Sequence, residues 1–242
     1  MLGGFGVFPN PRRARVFWVG IESGVETLKE LARAIARQMR AGVRTLPTDH
    51  LVSEATYLWD LDGNGIELTF ETPTRGSFVN LEGNITMTTA EGKFHSGREP
   101  IDLDDMFAEL APDDDLMTAL PEGTRLGHIH LHVRDLNRSM RFYADTIGFQ
   151  RQILSTDYGM GDVRTNHEPH ILAFNIWSGA NAVQPPAASA GLTDFEIVLT
   201  NQADLDGITE RLEAAGHSFE RLSNQAISLT DPSGNPMHIR AG

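Results

Sequence analysis

The chain predicts an α+β protein assembled from repeated strand–helix–strands modules, each forming a curved half-barrel sheet of mixed strand direction. Three observations carry that prediction. An apolar strand followed by an amphipathic helix that stops at glycine occurs three times: VFWVGI (Val16–Ile21) before Glu26–Gly42, GHIHLHV (Gly127–Val133) before Leu136–Gly148, and FEIVL (Phe195–Leu199) before Gln202–Gly216. Glycine at that point suits the left-handed residue that closes a helix. DLDGNGIEL (Asp60–Leu68) and DPSGNPMHI (Asp231–Ile239) use one device twice: an aspartate, a Gly-Asn turn, then a strand of alternating character. The middle copy has its own later strand, ILAFNIW (Ile171–Trp177).

Taken in order, residues 1–15 read as a linker and residues 16–79 as the first module. Residues 80–124 form a connector with a hairpin-like start. Residues 125–184 are the second module, and residues 185–242 the third, entered through the PPAASAG stretch (Pro185–Gly191). The acidic run IDLDDMFAELAPDDD (Ile101–Asp115) in the connector reads as a solvated surface. Half-sheets of this kind close a cavity in pairs, so three copies leave one in need of a partner.

Composition excludes several roles. With 20 basic and 33 acidic residues, the net charge is −13. Nucleic acid is therefore not expected as a partner, because phosphate binding needs clustered lysine and arginine. There is no cysteine, so disulfides and thiolate metal sites are impossible and any metal must be held by His, Asp or Glu. No apolar run approaches the length of a membrane span. The apolar residues at the start are broken by glycine and proline and do not read as a signal peptide, so a cytoplasmic location is expected.

GHIHLHV is the segment richest in chemistry. His128, His130 and His132 alternate with Ile129, Leu131 and Val133. A strand sends successive side chains to opposite faces, so the three imidazoles share one face and the aliphatics the other. The aliphatic face suits packing on the following helix. The imidazole face requires water, a polar cleft or a metal, for which neutral imidazole is the commonest protein ligand.

The stretches DHLVSEATYLWDLDGNGIEL (Asp49–Leu68), GTRLGHIHLHVRDL (Gly123–Leu136), RFYADTIGF (Arg141–Phe149) and FNIWSG (Phe174–Gly179) resemble the vicinal oxygen chelate superfamily. That superfamily is built from paired βαβββ modules and includes glyoxalase I, bleomycin-resistance proteins and extradiol dioxygenases. The nearer likeness is to bacterial catechol 2,3-dioxygenase-like proteins with four modules, of which the first is absent here. The resemblance implies a metal-dependent extradiol ring cleavage of a small aromatic substrate by dioxygen. Two imidazoles and one carboxylate would hold Fe(II), with Mn(II) second, and leave open positions for substrate and oxygen.

Carried over residue by residue, the resemblance assigns His128 and Glu67 as metal ligands. Glu67 alternates with Ile66 and Leu68 and so faces away from them. The third ligand position falls on Phe17, flanked by Trp18 and Val19, none of which binds metal. Tyr57, ten residues before Glu67, matches a tyrosine that contacts substrate oxygen. His50 matches a histidine near the pocket. His170, with His167 as near competitor, matches the acid–base histidine. His130, His132, Phe174 and Trp177 are candidates for the substrate pocket. A rival triad is His128, Asp194 and His238, in which Ser228 stands where the tyrosine belongs. The Glu67–His128 arrangement requires the first and second copies to pair. It leaves the third with an open apolar sheet, which a homodimer would cover. Two other functions fit the same scaffold: a non-catalytic binding protein for small aromatics, and a glyoxalase-type isomerase.

Overall fold

The structure is a computed structural model that describes residues 16–21, 25–59, 64–81, 84–119, 124–184 and 192–242. The linker expected at residues 1–15, the beginning of the first Gly-Asn turn at residues 60–63 and the Pro185–Gly191 linker lie outside the described residues. Two compact units are present, one within Ala14–His130 and one within Leu131–Gly242.

The first unit runs β1 (Val16–Ile21), α1 (Val25–Arg40), β2 (Thr45–Asp49), β3 (Ser53–Trp59), β4 (Gly65–Glu71), β5 (Gly76–Leu81), β6 (Asn84–Thr89), β7 (Phe94–His95), α2 (Leu103–Ala108) and most of β8 (Arg125–His132). Its main sheet has the order β2-β3-β4-β1-β8. β1 is parallel to β4 and antiparallel to β8. The first strand of the second repeat therefore lies directly against the first strand of the first repeat. β5, β6 and β7 make a separate small antiparallel sheet.

Helix α1 forms because Leu31, Ala32, Ala34 and Ile35 recur at helical spacing and make one apolar stripe. All four are buried, against Leu58 and Leu68 of the sheet and Met106 of α2. Each fully buried leucine or isoleucine contributes about 1.5–3 kcal/mol of transfer free energy. The helix ends as its glycine predicts. Gly42 takes φ +70, its amide bonds Met39 O at 3.0 Å, and the Val43 amide bonds Gln38 O at 3.0 Å. This pair of bonds is the Schellman closure.

The acidic run of the connector is not merely a solvated surface. Asp102 caps α2 by accepting from the amides of Asp104 and Asp105, and Met106 is buried. Asp114 meets Arg33 at 2.8 Å and Lys29 at 2.9 Å on α1. These two cations hold the Asp114 carboxyl far below the usual carboxylate range.

The second unit begins with the end of β8 and continues through α3 (Leu136–Met140), which runs on as π-helical turns over Arg141–Ile147. Then follow β9 (Gln150–Ser155), β10 (Met160–Arg164) and β11 (Leu172–Asn175). Its third-repeat portion is β12 (Phe195–Leu199), α4 (Gln202–Ala214), β13 (Phe219–Ser223), β14 (Ala226–Thr230) and β15 (Pro236–Ala241), with sheet order β12-β15-β14-β13. The α4 terminus repeats the closure of α1: Gly216 has φ +70 and the His217 amide bonds Leu212 O at 2.9 Å.

Two polar devices hold the second and third repeats together inside this unit. The Arg211 guanidinium donates to Thr146 O at 2.8 Å and Ile147 O at 3.0 Å, satisfying carbonyls that the end of a helix leaves without intrahelical partners. Asp231, the aspartate of the DPSGNP turn, is buried. It accepts from the amides of Ser233 and Asn235, the Asn235 side chain and the Tyr143 hydroxyl at 2.9 Å. Burial nevertheless keeps its carboxyl above the usual range.

The third sheet departs from the expected open apolar surface. One face buries Ile227, Leu229, Met237 and Ile239. The alternating positions on the other face include Glu196, Ser228, His238 and Arg240, with Glu196 and Arg240 paired at 3.0 Å. The charged positions fall there because β15 alternates polar and apolar residues and Glu196 of β12 pairs in register with His238, although β12 also leaves Val198 exposed on that face.

Candidate functional site

In the first unit a line of register partners crosses three adjacent strands. Tyr57 on β3 is the direct cross-strand partner of Glu67 on β4, and Glu67 is in turn the register partner of Trp18 on β1. Beyond β1 lies β8, which carries His128. Register thus places Trp18, the neighbour of Phe17, on the strand between the two candidate ligands. Neither residue type supplies a metal donor.

Glu67 and His128 are brought together. His128 Nε2 stands 3.6 Å from Glu67 Oε2, and the two residues are only 5% and 6% exposed. That separation is longer than a hydrogen bond. Two donors about 2.1 Å from one cation and about 90–120° apart stand roughly 3.0–3.6 Å from each other. The observed spacing sits at the upper end of that range, so an imidazole and a carboxylate fit the cradle of a divalent ion. They supply two of the three protein donors that a facial site uses. Among the described residues, no three His, Asp or Glu side chains gather as a metal-binding group.

The carboxylate is supported from two sides. Thr69, two residues along the same strand face, donates its hydroxyl to Glu67 Oε1 at 3.2 Å. Tyr57 hydrogen-bonds the same carboxylate. Burial first, and the charge of Glu67 second, push the Tyr57 hydroxyl well above its ordinary value, so it stays a donor. His50 joins the row: its Nε2 is 2.9 Å from the Tyr57 oxygen and its Nδ1 is 2.7 Å from Gly97 O. His130 is also buried, with its ring centroid 6.4 Å from that of His128. The four residues His50, Tyr57, Glu67 and His128 therefore make one polar line running into the sheet.

The backbone around His50 is tightly specified. Leu51 is fully buried at φ +70, a left-handed conformation that costs about 1–3 kcal/mol outside glycine. The Asp49 side chain accepts the Leu51 amide at 2.7 Å and pairs with Arg75, which also meets Glu54 at 2.7 Å. Burial works against the Asp49 anion. Arg75, the Leu51 amide and His95 outweigh it and bring the carboxyl below its usual value.

The remaining candidates belong to the second unit. His170 sits at φ +51 with its amide bonded to Gln152 Oε1 at 3.0 Å. Its Nδ1 makes a short hydrogen bond to Asp162 Oδ2, and Asp162 is fully buried with its other oxygen accepting the Ile153 amide at 2.7 Å. A carboxylate on Nδ1 fixes the ring and leaves Nε2 as the working nitrogen. His167 is exposed. Phe174 is fully buried and stacked on Tyr143 with centroids 5.7 Å apart, so its ring serves the core of this unit. Trp177 is half exposed and donates its indole N–H to Tyr158 O at 2.7 Å. His132 Nδ1 lies 3.2 Å from the Ser178 hydroxyl. Asp194 and His238 are partly exposed, and His238 faces Ser228 and Glu196 in register.

Sequence reasoning did not single out Thr69, Asp162 or Gly97. Thr69 was recoverable, since it shares the strand face of Glu67. Asp162 carried a weaker signal, a carboxylate between Gly161 and Val163 at the centre of a short strand. Gly97 acts through its backbone and leaves no side-chain signal.

Residues 125–239 match the model of the Glyoxalase/Bleomycin resistance protein/Dioxygenase superfamily. The chain is 37% identical over 206 residues to a protein of Bacillus subtilis (strain 168) named catechol-2,3-dioxygenase; the match takes in 84% of this chain and 67% of that protein. A solved structure of a candidate dioxygenase from Bacillus subtilis subsp. subtilis strain 168 superposes with a TM-score of 0.58 at 8% identity. It covers 98% of this chain, which spans 63% of the solved one. That likeness speaks to fold alone.

Proposed function

This chain belongs to the Glyoxalase/Bleomycin resistance protein/Dioxygenase superfamily, and on that premise we propose that it is a metal-dependent extradiol dioxygenase acting on a small catechol-like aromatic. The observation that carries the proposal is the buried approach of His128 to Glu67, with Tyr57 and His50 aligned behind the carboxylate. His128 and Glu67 would hold the ion, Fe(II) in first place and Mn(II) in second. The metal would supply a template and a charge sink for substrate and dioxygen.

The protein's own groups have separable tasks. Thr69 and Tyr57 orient the Glu67 carboxylate, the kind of outer support that fixes metal ligands. Tyr57 keeps its proton and offers a hydrogen bond at the carboxylate. His50 lies on the far side of the Tyr57 oxygen, and the single hydrogen of that hydroxyl serves either the Glu67 carboxylate or the bare Nε2 of a neutral His50, one at a time. His170, oriented by Asp162, supplies an imidazole suited to moving a proton at Nε2. The 37% identity to a protein named catechol-2,3-dioxygenase supports the substrate class.

A second reading, a non-catalytic binding protein for small aromatics, is favoured by the aromatic residues Phe17 and Trp18 on β1, where the family pattern has a ligand. One experiment separates the two. Protein purified without chelator and loaded with Fe(II) is offered catechol, and the yellow ring-cleavage product is followed. Turnover that disappears in Glu67→Ala supports the dioxygenase. A colourless reaction across a catechol panel, with tight catechol binding and no metal uptake, supports the binding protein.

A further inference from the structure

The hairpin segment between the first and second repeats, residues 75–99, takes no part in the repeat plan, yet it grips the loop that carries His50. The Asp49 amide bonds Glu99 O at 2.8 Å and the Glu99 amide bonds Asp49 O at 3.1 Å. Arg75 pairs with the Asp49 side chain. A Cβ on Gly76 would lie 2.7 Å from Leu51 Cδ2, so the hairpin backbone is pressed against the residue that follows His50. At the centre is Gly97. Its carbonyl lies 2.7 Å from His50 Nδ1, and its amide donates to His95 Nδ1 at 2.9 Å.

These two contacts dictate opposite ring states. A carbonyl oxygen only accepts, so His50 must carry its hydrogen on Nδ1. An amide N–H only donates, so His95 Nδ1 is an acceptor and the neutral ring carries its hydrogen on Nε2, the nitrogen that faces Asp49 at 3.7 Å. Gly97 can do this only as glycine. Its φ is +74, and a Cβ there would meet Met87 Sδ at 2.5 Å.

We propose that Gly97 is a positioning residue for the polar line, its carbonyl locking neutral His50 in the Nδ1–H form so that Nε2 faces Tyr57 as an acceptor. The connector hairpin is then part of the site: it sets the hydrogen-bonding sense of a side chain it does not contain. The functional consequence rests on the dioxygenase reading given above. The ring state does not.

The test uses the full chain labelled with ¹⁵N-histidine. Long-range proton–nitrogen correlations report which nitrogen of His50 carries hydrogen, with the signal assigned by His50→Gln. Spectra are recorded well above the ordinary imidazole value of about 6.5, so that the neutral ring is read. The expected result is one form with hydrogen on Nδ1 in the wild type and a mixture of both forms in Gly97→Ala. Turnover of catechol in that variant should fall about tenfold, a fraction of what a positioned proton-transfer group contributes, with KM changed less than about twofold. Hydrogen on Nε2 in the wild type overturns the proposal. So does a folded Gly97→Ala protein that keeps the wild-type ring signals. Should Gly97→Ala not fold, the wild-type spectrum decides alone. A wild type with the expected ring state and no turnover would sink the dioxygenase reading and leave the positioning role standing.

Discussion

The first and third repeats carry the same three-strand row with different chemistry. In the first repeat the row reads Tyr57, Glu67, Trp18 across β3, β4 and β1. In the third it reads Ser228, His238, Glu196 across β14, β15 and β12, in matching register. The backbone therefore presents one scaffold twice. What separates the two is the strand beyond. β1 has β8 against it, which brings His128 to Glu67. β12 ends its sheet, with no further strand beside it among the described residues. In the first row Glu67 is buried and the half-buried Tyr57 hydrogen-bonds it. The third is partly exposed, and its glutamate is taken by Arg240. A row of this kind becomes a candidate metal cradle where a further strand pairs beside it, and stays a surface where none does.

The largest expected difference between the two rows is in metal binding. Glu67→Ala should weaken Fe(II) or Mn(II) affinity by at least about 100-fold, while the equivalent His238→Ala changes it less than about twofold. Calorimetric titration of both variants gives the comparison directly. Equal losses would mean that the rows are not functionally distinct. Next comes the cross-strand partner. Tyr57→Phe removes the hydroxyl aimed at Glu67 and should lower kcat about 100-fold, whereas Ser228→Ala in the matching position leaves kcat unchanged. Steady-state kinetics that show both variants equally active would remove Tyr57 from the account.

A smaller effect is expected where the third row is anchored. Asp231→Ala strips partners from the Tyr143 hydroxyl and from the amides of Ser233 and Asn235. It should cost about 2–3 kcal/mol in denaturant unfolding of the second unit and leave the metal affinity of the first unit unaltered. A loss of metal in this variant would show that the units do not act separately.

The least expected effect is on acid stability. Asp49 has its carboxyl lowered in the folded chain, so its contribution is present above the ordinary aspartate value of about 3.9 and fades as pH falls below it. Asp49→Asn should flatten the acid limb of the unfolding profile. An unchanged limb would show that Arg75 does not stabilise the anion.

Much of this fold was legible because its signals are local. The three repeat helices end where glycine interrupts the apolar stripe, and Gly42 and Gly216 close the first and third with the same pair of amide bonds. The strand alternation that placed Glu67 opposite Ile66 and Leu68 is a property of the pleat and needs no tertiary information. The pairing of β1 with β8 was within reach of the repeat argument, since curved halves meet along their first strands. Other features depend on distant partners. Met106 lies buried inside an acidic run because α1 offers it an apolar face, and Asp114 is drawn to Lys29 and Arg33 across more than 80 residues of chain. The polar outer face of the third sheet was written in Glu196 and Arg240, but only the pairing of β12 with β15 sets them side by side. Gly97 influences His50 through a carbonyl oxygen, which every residue possesses, so no residue type could announce it.

Glu67 and His128 are proposed to share one cation. Electron paramagnetic resonance of Mn(II) titrated into the wild type, Glu67→Ala, His128→Ala and His238→Ala proteins tests it most directly. About one tightly bound ion per chain is expected in the wild type and in His238→Ala, and none in either of the other two. Binding that survives both Glu67→Ala and His128→Ala, or that disappears only with His238→Ala, would contradict it.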